Sequence, residues 1–145
     1  MVRRSLALLL GAFLLIGAVP AHADLDDHPR VARCAEKNPW TKVGQRAELI
    51  WCIARTFDAP GSPRTAVGVA SCESGNDFQD LDGSDGHIST FQHVTSRWLG
   101  RWRAWGRGLG VRSAATNVLS QAVVSVRMAI SLGTWNSSAG WAGCA

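Results

Sequence analysis

The spacing of apolar residues predicts a chain built mainly of helices. Apolar positions recur at three- and four-residue intervals across residues 44–58, 63–73, 92–105 and 113–132, which is the period of a helix with one buried face. The positions expected to face inward are Ala47, Ile50, Trp51, Ala54, Phe57, Ala66, Val69, Ala70, Glu73, Val94, Trp98, Trp102, Trp105, Val118, Leu119, Ala122, Val123, Val126 and Ile130.

Residues with cap preferences mark the ends of these segments. Ser62 followed by Pro63 predicts a helix start, since serine caps a helix and proline suits its first turn. Gly75 predicts the end of that helix. Ser113 is the expected cap of the last helix, and Gly133 its end.

Two stretches lack the helical pattern. Residues 24–43 are polar and include Pro29 and Pro39, so we expect a helix-poor N-terminal arm. Residues 76–89 are acidic and rich in turn-forming residues, which favours a loop or irregular hairpin. The fold class expected is mainly α, with one irregular polar loop or hairpin and no internal repeat.

The first 23 residues have the features of a secretory signal peptide. Arg3 and Arg4 precede an apolar stretch over residues 6–19, and Pro20 precedes the small-x-small sequence 21–23. The apolar stretch is shorter than the about 20 residues that a membrane-spanning helix needs. Cleavage would leave 122 of the 145 residues, with an arm at 24–43 and one domain at 44–145. We therefore expect a secreted or cell-wall-associated protein, monomeric and with no membrane segment after cleavage.

The distribution of charge along the chain is more informative about possible partners than the net charge. The chain has a formal charge of +4, and loss of Arg3 and Arg4 reduces it to about +2, which argues against nucleic acid as a partner. No acidic residue occurs in residues 86–145, although six arginines do. Such a basic face would suit an anionic polymer such as a cell wall. A solvated helix face in an arginine-biased chain is the simpler interpretation, and we prefer it.

Four cysteines follow the signal peptide: Cys34, Cys52, Cys72 and Cys144. An even number in a small exported chain favours two disulfides, whereas the spacing does not fit a zinc site. Three pairings are open. We prefer Cys34–Cys52 with Cys72–Cys144, because the second bond ties the C-terminus to the middle of the chain. Trp135 and Trp141 are expected to pack around Cys144.

Glu73 is the residue whose position suggests chemistry. It falls on the inward stripe at the C-terminal end of its helix, where the helix dipole disfavours an anion. Apolar neighbours would also desolvate the carboxylate, and both effects raise its pKa. A carboxyl group protonated near neutral pH can act as a general acid. The alternative is a last-turn glutamate that turns out to solvent, and periodicity alone does not exclude it.

The sequence around Glu73 resembles a known superfamily. The stretch Ala70-Ser71-Cys72-Glu73-Ser74-Gly75, followed by Phe91-Gln92, is similar to the soluble lytic transglycosylase and goose-type lysozyme superfamily. Cys72, Phe91-Gln92-His93, Trp98 and the ending Trp141-Ala142-Gly143-Cys144 resemble short secreted transglycosylase-like proteins of actinobacterial type. The resemblance covers roughly residues 45–145, and the ordered set is more specific than Glu-Ser-Gly alone.

The resemblance implies an α+β lysozyme-like fold and a function. It implies cleavage of the β-1,4 bond between N-acetylmuramic acid and N-acetylglucosamine in peptidoglycan glycan strands, without a cofactor. Glu73 would be the acid/base. The substrate-binding residues would be Gln92, Phe91, Ser74 and Trp98.

Two departures from the family pattern leave a second hypothesis open. Ser89-Thr90 stands where the family has Gly-Leu, and the chain has no tyrosine, although many relatives have one near the glutamate. A non-catalytic cell-wall-binding protein on the same scaffold is therefore the alternative.

A second carboxylate would decide the mechanism, because ordinary glycosidases use two. No acid follows Asp85, so a partner must come from Asp77, Asp80, Asp82, Asp85 or the N-terminal half. Of these we name Asp82 and Asp85 as the candidates. If neither approaches, Glu73 acts twice, as the family resemblance implies, and sequence does not separate hydrolysis from transglycosylation. The loop 80–91 does not have the glycine and glutamate of an EF-hand calcium site, and His87 and His93 lack a third ligand, so we expect no metal.

Overall fold

The computed structural model describes residues 27–81, 86–136 and 140–144. Its elements, in chain order, are α1 Asp27–Lys37, α2 Val43–Thr56, α3 Pro63–Ser74, β1 His87–Ile88, β2 His93–Val94, α4 Thr95–Trp105 and α5 Val118–Leu132. The mainly α class is therefore confirmed. The proposed signal peptide lies outside the described residues, as do Asp82 and Asp85.

Helix α5 is the centre of the molecule. Its first nine residues, 118–126, are all buried, because the helix is apolar on nearly every side and a helix of that kind is stable only when other elements surround it. It packs against α2 and α4, while α2 also packs against α1 and α3. None of the helices in the described part of the chain has the length and apolar character needed to cross a bilayer.

The N-terminal segment contains a helix, so the expectation of a helix-poor arm is wrong. Pro29 stands in the first turn of α1, where its missing N–H costs no helical hydrogen bond. Val31 and Cys34 lie in the main hydrophobic core, and the Cys34–Cys52 disulfide joins α1 to α2. This packing stabilises the helix, and the polar character of its sequence does not predict it.

Both disulfides have the preferred pairing. Cys34 bonds to Cys52 and Cys72 bonds to Cys144, with Cα–Cα distances of 5.7 and 5.6 Å. The second bond attaches the C-terminal tail to the last turn of α3, one residue before Glu73.

The inward face of α2 differs from the predicted stripe. Leu49, Ile50, Ile53 and Ala54 are buried, whereas Trp51, predicted to face inward, is 38% exposed. Because α1, α3 and α5 all contact this helix, its buried face is set by three neighbours rather than by its own periodicity. At the end of α5, Ile130 is also exposed rather than inward.

The helix ends were predicted in part. The Ser62 side chain accepts a hydrogen bond from the Thr65 amide, and Gly75 and Gly133 end α3 and α5 at positive φ, as expected. The cap of α5 is Asn117, whose side chain accepts from the Ser120 amide, and not Ser113. The cap prediction for Ser113 was therefore wrong by four residues.

The polar stretch before α4 ends in a small antiparallel hairpin. His87 pairs with Val94 and Ile88 with His93, and residues 89–92 form the turn. Helix α4 begins at Thr95 and not at Gln92, because Gln92 adopts a φ of 47°, which is incompatible with a right-handed helix.

Candidate active site

Glu73 lies in the last turn of α3 and is half-buried. Burial raises the pKa of its carboxyl above the ordinary value, and the nearby charge of His87 opposes that rise. The following residue, Ser74, is buried and its hydroxyl donates to the Ala70 carbonyl over 2.8 Å. Gly75 then ends the helix with a φ of 75°. Ser74 therefore stabilises the turn that carries Glu73, and its hydroxyl is directed to the helix backbone.

The hairpin is fastened to the segment that follows Glu73. The Ser89 amide donates to the Asp80 carbonyl over 2.5 Å, and the Thr90 hydroxyl donates to the Phe78 carbonyl over 2.8 Å. The Phe78 amide in turn donates to the Gly75 carbonyl. A short chain of hydrogen bonds thus holds the hairpin turn next to the C-terminal end of α3, and this arrangement places His87 where its charge acts on Glu73.

The hairpin turn has an unusual backbone. Ser89 and Gln92 have φ values of 67° and 47°, in the left-handed region that favours glycine. The Gln92 amide and its side-chain Nε2 both donate to the Ser89 carbonyl, the latter over 2.8 Å. Gln92 is half-buried, and its two hydrogen bonds to Ser89 shape the hairpin turn.

Ser89 stands at a position where the resembling family has glycine. Its side chain is fully buried, and its hydroxyl has no hydrogen-bond partner within the described residues. A glycine would adopt this φ at no steric cost. Serine at this position is therefore held with backbone strain and an unsatisfied polar group.

Phe91 does not face a groove. Its side chain is fully buried and stacks on Trp135 with ring centroids 5.9 Å apart, while Trp141 approaches its edge at 5.8 Å. The Trp141 indole also donates to the Phe91 carbonyl over 3.0 Å. The expectation that Phe91 contacts substrate is corrected, because its surface is covered by the two tail tryptophans.

Trp98 is also a packing residue. It is 4% exposed, and its indole N–H donates to the Ser113 carbonyl over 2.6 Å. Its ring lies 5.2 Å from that of His93. The expectation that Trp98 lines the site is therefore corrected as well.

A buried polar cluster that was not predicted from the sequence joins the hairpin to α4 and α5. His93 is buried, with its Nε2 2.8 Å from the Ser125 hydroxyl and its Nδ1 2.5 Å from Nη1 of Arg101. Since a guanidinium only donates, Nδ1 accepts and the ring proton is on Nε2. Burial and the adjacent Arg101 charge lower the pKa of His93 to about 3. His93 is therefore a neutral link between β2, α4 and α5.

Gln121 is a second support that sequence reasoning missed. It is a fully buried amide in α5. Its Oε1 accepts from the Phe91 amide over 3.1 Å, and its Nε2 donates to the Ala115 carbonyl over 2.8 Å. The sequence did contain a signal for this role, since Gln121 is a polar residue within the most apolar helix. A buried amide normally forms hydrogen bonds, and here its partners lie in other segments.

The acidic loop contributes little to the described site. Asp77 is exposed and its carboxylate accepts from the Gln79 amide over 3.3 Å. The two candidates for a second carboxylate, Asp82 and Asp85, lie outside the described residues. Among the residues with described positions, no group of three or more His, Cys, Asp or Glu side chains is arranged to bind a metal ion.

The described residues around Glu73 form a small polar site. A half-buried carboxyl with a raised pKa lies at a helix end, beside a histidine and a rigid polar turn. The chain was compared with protein-family models, curated proteins and solved structures, and none of them matches it.

Proposed function

We propose that the protein cleaves the β-1,4 bond between N-acetylmuramic acid and N-acetylglucosamine in peptidoglycan, with Glu73 as the acid/base. The observation that carries the proposal is the burial of Glu73, which raises the pKa of its carboxyl. A carboxyl that keeps its proton closer to neutral pH is suited to protonate a glycosidic oxygen. The motif that extends from Ala70 to Gln92 supports the same chemistry through its resemblance to lytic transglycosylases.

The proposed reaction uses one carboxyl group twice. The Glu73 carboxyl gives its proton to the bridging oxygen while the bond from muramic C1 to that oxygen breaks. The resulting carboxylate then removes the proton of the muramic 6-hydroxyl, whose oxygen bonds to C1 and yields a 1,6-anhydro end. If water replaces that hydroxyl, the same proton transfers yield a reducing end.

The residues around Glu73 have supporting roles in this proposal. Ser74 and Gly75 fix the helix end, and the hairpin turn is hydrogen-bonded to the segment that follows it. His87 opposes the rise of the Glu73 pKa, and its positive charge would stabilise the carboxylate that forms after proton transfer.

The proposed location is outside the cytoplasm. Two disulfides are typical of proteins that fold in an oxidising compartment, and residues 1–23 have the pattern of a signal peptide. Secretion to the cell wall would bring the protein to its proposed substrate.

The test is a comparison of wild type, Glu73→Gln and Glu48→Gln on purified peptidoglycan. Glutamine preserves the shape of the side chain but has no acidic proton, so Glu73→Gln should lose soluble muropeptide release by about a hundredfold or more. Glu48 is an exposed acid on α2, and its variant should retain wild-type release. Equal release by wild type and Glu73→Gln would refute the assignment.

Mass spectrometry of the products separates the remaining outcomes. Anhydro-muramic ends indicate transglycosylation, and reducing ends indicate hydrolysis. Wild-type protein that sediments with insoluble peptidoglycan yet releases no muropeptide would favour a cell-wall-binding protein and contradict the enzymatic proposal.

A further inference from the structure

A groove between α4 and α5 has no role in the proposed proton transfer. We call it the α4–α5 groove. Its volume is about 560 Å³, and the residues that line it include Arg97, Gly100, Arg101, Trp105, Met128 and Leu132. Gly100 has open space above its Cα, so α4 does not obstruct the groove at its middle.

One wall of the groove is positively charged. Arg97 and Arg101 are one helical turn apart on α4 and so lie on the same face. Burial, and after it the charge of Arg97, lower the pKa of Arg101, which is the direction expected for two guanidinium groups on one helix face. The partner of Arg101 is the neutral His93 ring, and no Asp or Glu occurs in α4 or α5. The wall is therefore complementary to an anion.

The rest of the groove is apolar. Trp105 and Met128 form part of its lining, and Leu132 is 43% exposed at its edge. An apolar floor beside two cations suits a flexible ligand that carries carboxylates on a short aliphatic chain. A uniformly polar polymer would leave this floor without a contact.

The hairpin connects the helix that lines the groove with the candidate active site. Val94 pairs with His87, whose charge acts on Glu73, and α4 starts at the next residue. Arg97 is therefore in the first turn beyond the hairpin. From there the groove follows α4, which at 1.5 Å per residue is about 15 Å long.

We propose that the α4–α5 groove binds the stem peptide of peptidoglycan, with Arg97 and Arg101 paired to its carboxylates. The inference rests on the proposed function, because the stem peptide is attached to the sugar that Glu73 would act on. Arginine binds carboxylates through paired N–H groups, and the alkyl parts of the peptide pack on Trp105, Met128 and Leu132. The groove thereby selects glycan strands that carry peptides over bare glycan.

Binding is tested with the tripeptide L-Ala-γ-D-Glu-meso-diaminopimelate, titrated into the full chain and followed by NMR chemical shifts. Arg97→Gln should weaken the binding of the tripeptide by about tenfold, the usual effect of removing one charged hydrogen-bonding group. Arg103→Gln is the matched control, since Arg103 is an exposed arginine on the same helix and outside the groove lining. Arg101 is left unchanged because it also donates a hydrogen bond to His93.

The inference is overturned if the tripeptide does not shift the resonances of α4 and α5. It is also overturned if wild type and Arg97→Gln bind the tripeptide equally, or if Arg97→Gln and Arg103→Gln weaken its binding equally. Vesicles with anionic lipids are titrated in parallel, and a groove that responds to vesicles but not to the tripeptide would also overturn it.

A second measurement separates this inference from the proposed function. The wild type and Arg97→Gln are compared on intact peptidoglycan and on glycan strands stripped of peptide by an amidase. We expect Arg97→Gln to lower the ratio of intact to stripped cleavage by about tenfold. An unchanged ratio with active enzyme refutes the groove alone, whereas no cleavage of either substrate by wild type refutes the proposed function.

Discussion

Burial raises the pKa of the Glu73 carboxyl, because it removes part of the water that would solvate the charge. Proton affinity and stability are linked through this shift. The raised pKa means that the folded chain holds the Glu73 proton more tightly than the unfolded chain does. The same environment that prepares a general acid therefore costs stability once the group ionises.

The Glu73→Gln variant tests this link through pH. A raised folded-state pKa contributes stability that is fully present below the unfolded value of 4.5 and is lost as pH rises through the folded value. Relative to Glu73→Gln, the wild type should therefore become progressively less stable as pH increases across that window. Urea unfolding of both proteins from pH 4 to pH 8 measures the difference, and a difference that is constant with pH would contradict the shift.

Ser89 offers a second test at the residue scale. Its positive φ and its unpartnered buried hydroxyl both cost free energy, and glycine relieves both. Ser89→Gly should stabilise the fold by about 1 kcal/mol, measured as the free energy of unfolding in urea. Ser96→Gly, on the exposed face of α4, is the control and should be destabilising. Destabilisation by Ser89→Gly would show that the serine is not strained.

At the scale of elements, the ends of helices depend on single side chains. The Asn117 side chain accepts a hydrogen bond from the Ser120 amide over 2.9 Å, so it satisfies a backbone donor at the first turn of α5. The Ser120 hydroxyl donates to the Arg112 carbonyl over 2.6 Å, which ties the preceding loop to the first turn of the helix. Since α5 is the central helix, this cap orders the element on which α2 and α4 pack.

Replacing the cap should therefore affect the whole fold. Asn117→Ala is expected to lower the free energy of unfolding by about 1 kcal/mol, the typical cost of losing an N-cap. Ser113→Ala is the matched control, and it should change the free energy by no more than about 0.5 kcal/mol, because its exposed side chain does not cap the helix. Equal losses in the two variants would argue that the sequence-based choice of Ser113 was correct after all.

The elements also show where sequence patterns are insufficient. Periodicity located α2, α3 and α5 to within a few residues, because each is long enough to repeat its apolar face. It missed α1, whose polar sequence becomes helical when Val31 and Cys34 are buried against α2. It also started α4 too early, because the hairpin pairing of His93 and Val94 is made with residues on another strand.

At the scale of the whole molecule, the two disulfides close loops of different length. Cys34 and Cys52 are 18 residues apart, whereas Cys72 and Cys144 are 72 apart. The longer bond restricts the unfolded chain more, and it also keeps Trp141 near Phe91 by holding the tail against α3.

Removing each disulfide separately shows how much each one contributes to the free energy of unfolding. In the chain-entropy model, Cys72→Ala/Cys144→Ala should lose about 4 kcal/mol and Cys34→Ala/Cys52→Ala about 3 kcal/mol. The first variant should also show a change in tryptophan fluorescence, because Trp135 and Trp141 stack around Phe91. Urea unfolding and emission spectra check both points, and a larger loss from the Cys34–Cys52 pair would contradict the loop-length argument.

The sequence by itself determined the mainly helical class, the limits of α3 and the number of disulfides, and it made Glu73 the reactive candidate, but it left three cysteine pairings open. These features depend on local preferences, on cysteine number or on a residue's place in a repeating pattern, and all three are readable along the chain. Only the tertiary structure decided that Phe91 and Trp98 are buried supports, that Trp51 faces outward, and that Arg97 and Arg101 border an apolar groove. Burial is a property of every segment that packs on a residue, so it follows from contacts between distant parts of the chain and not from local sequence.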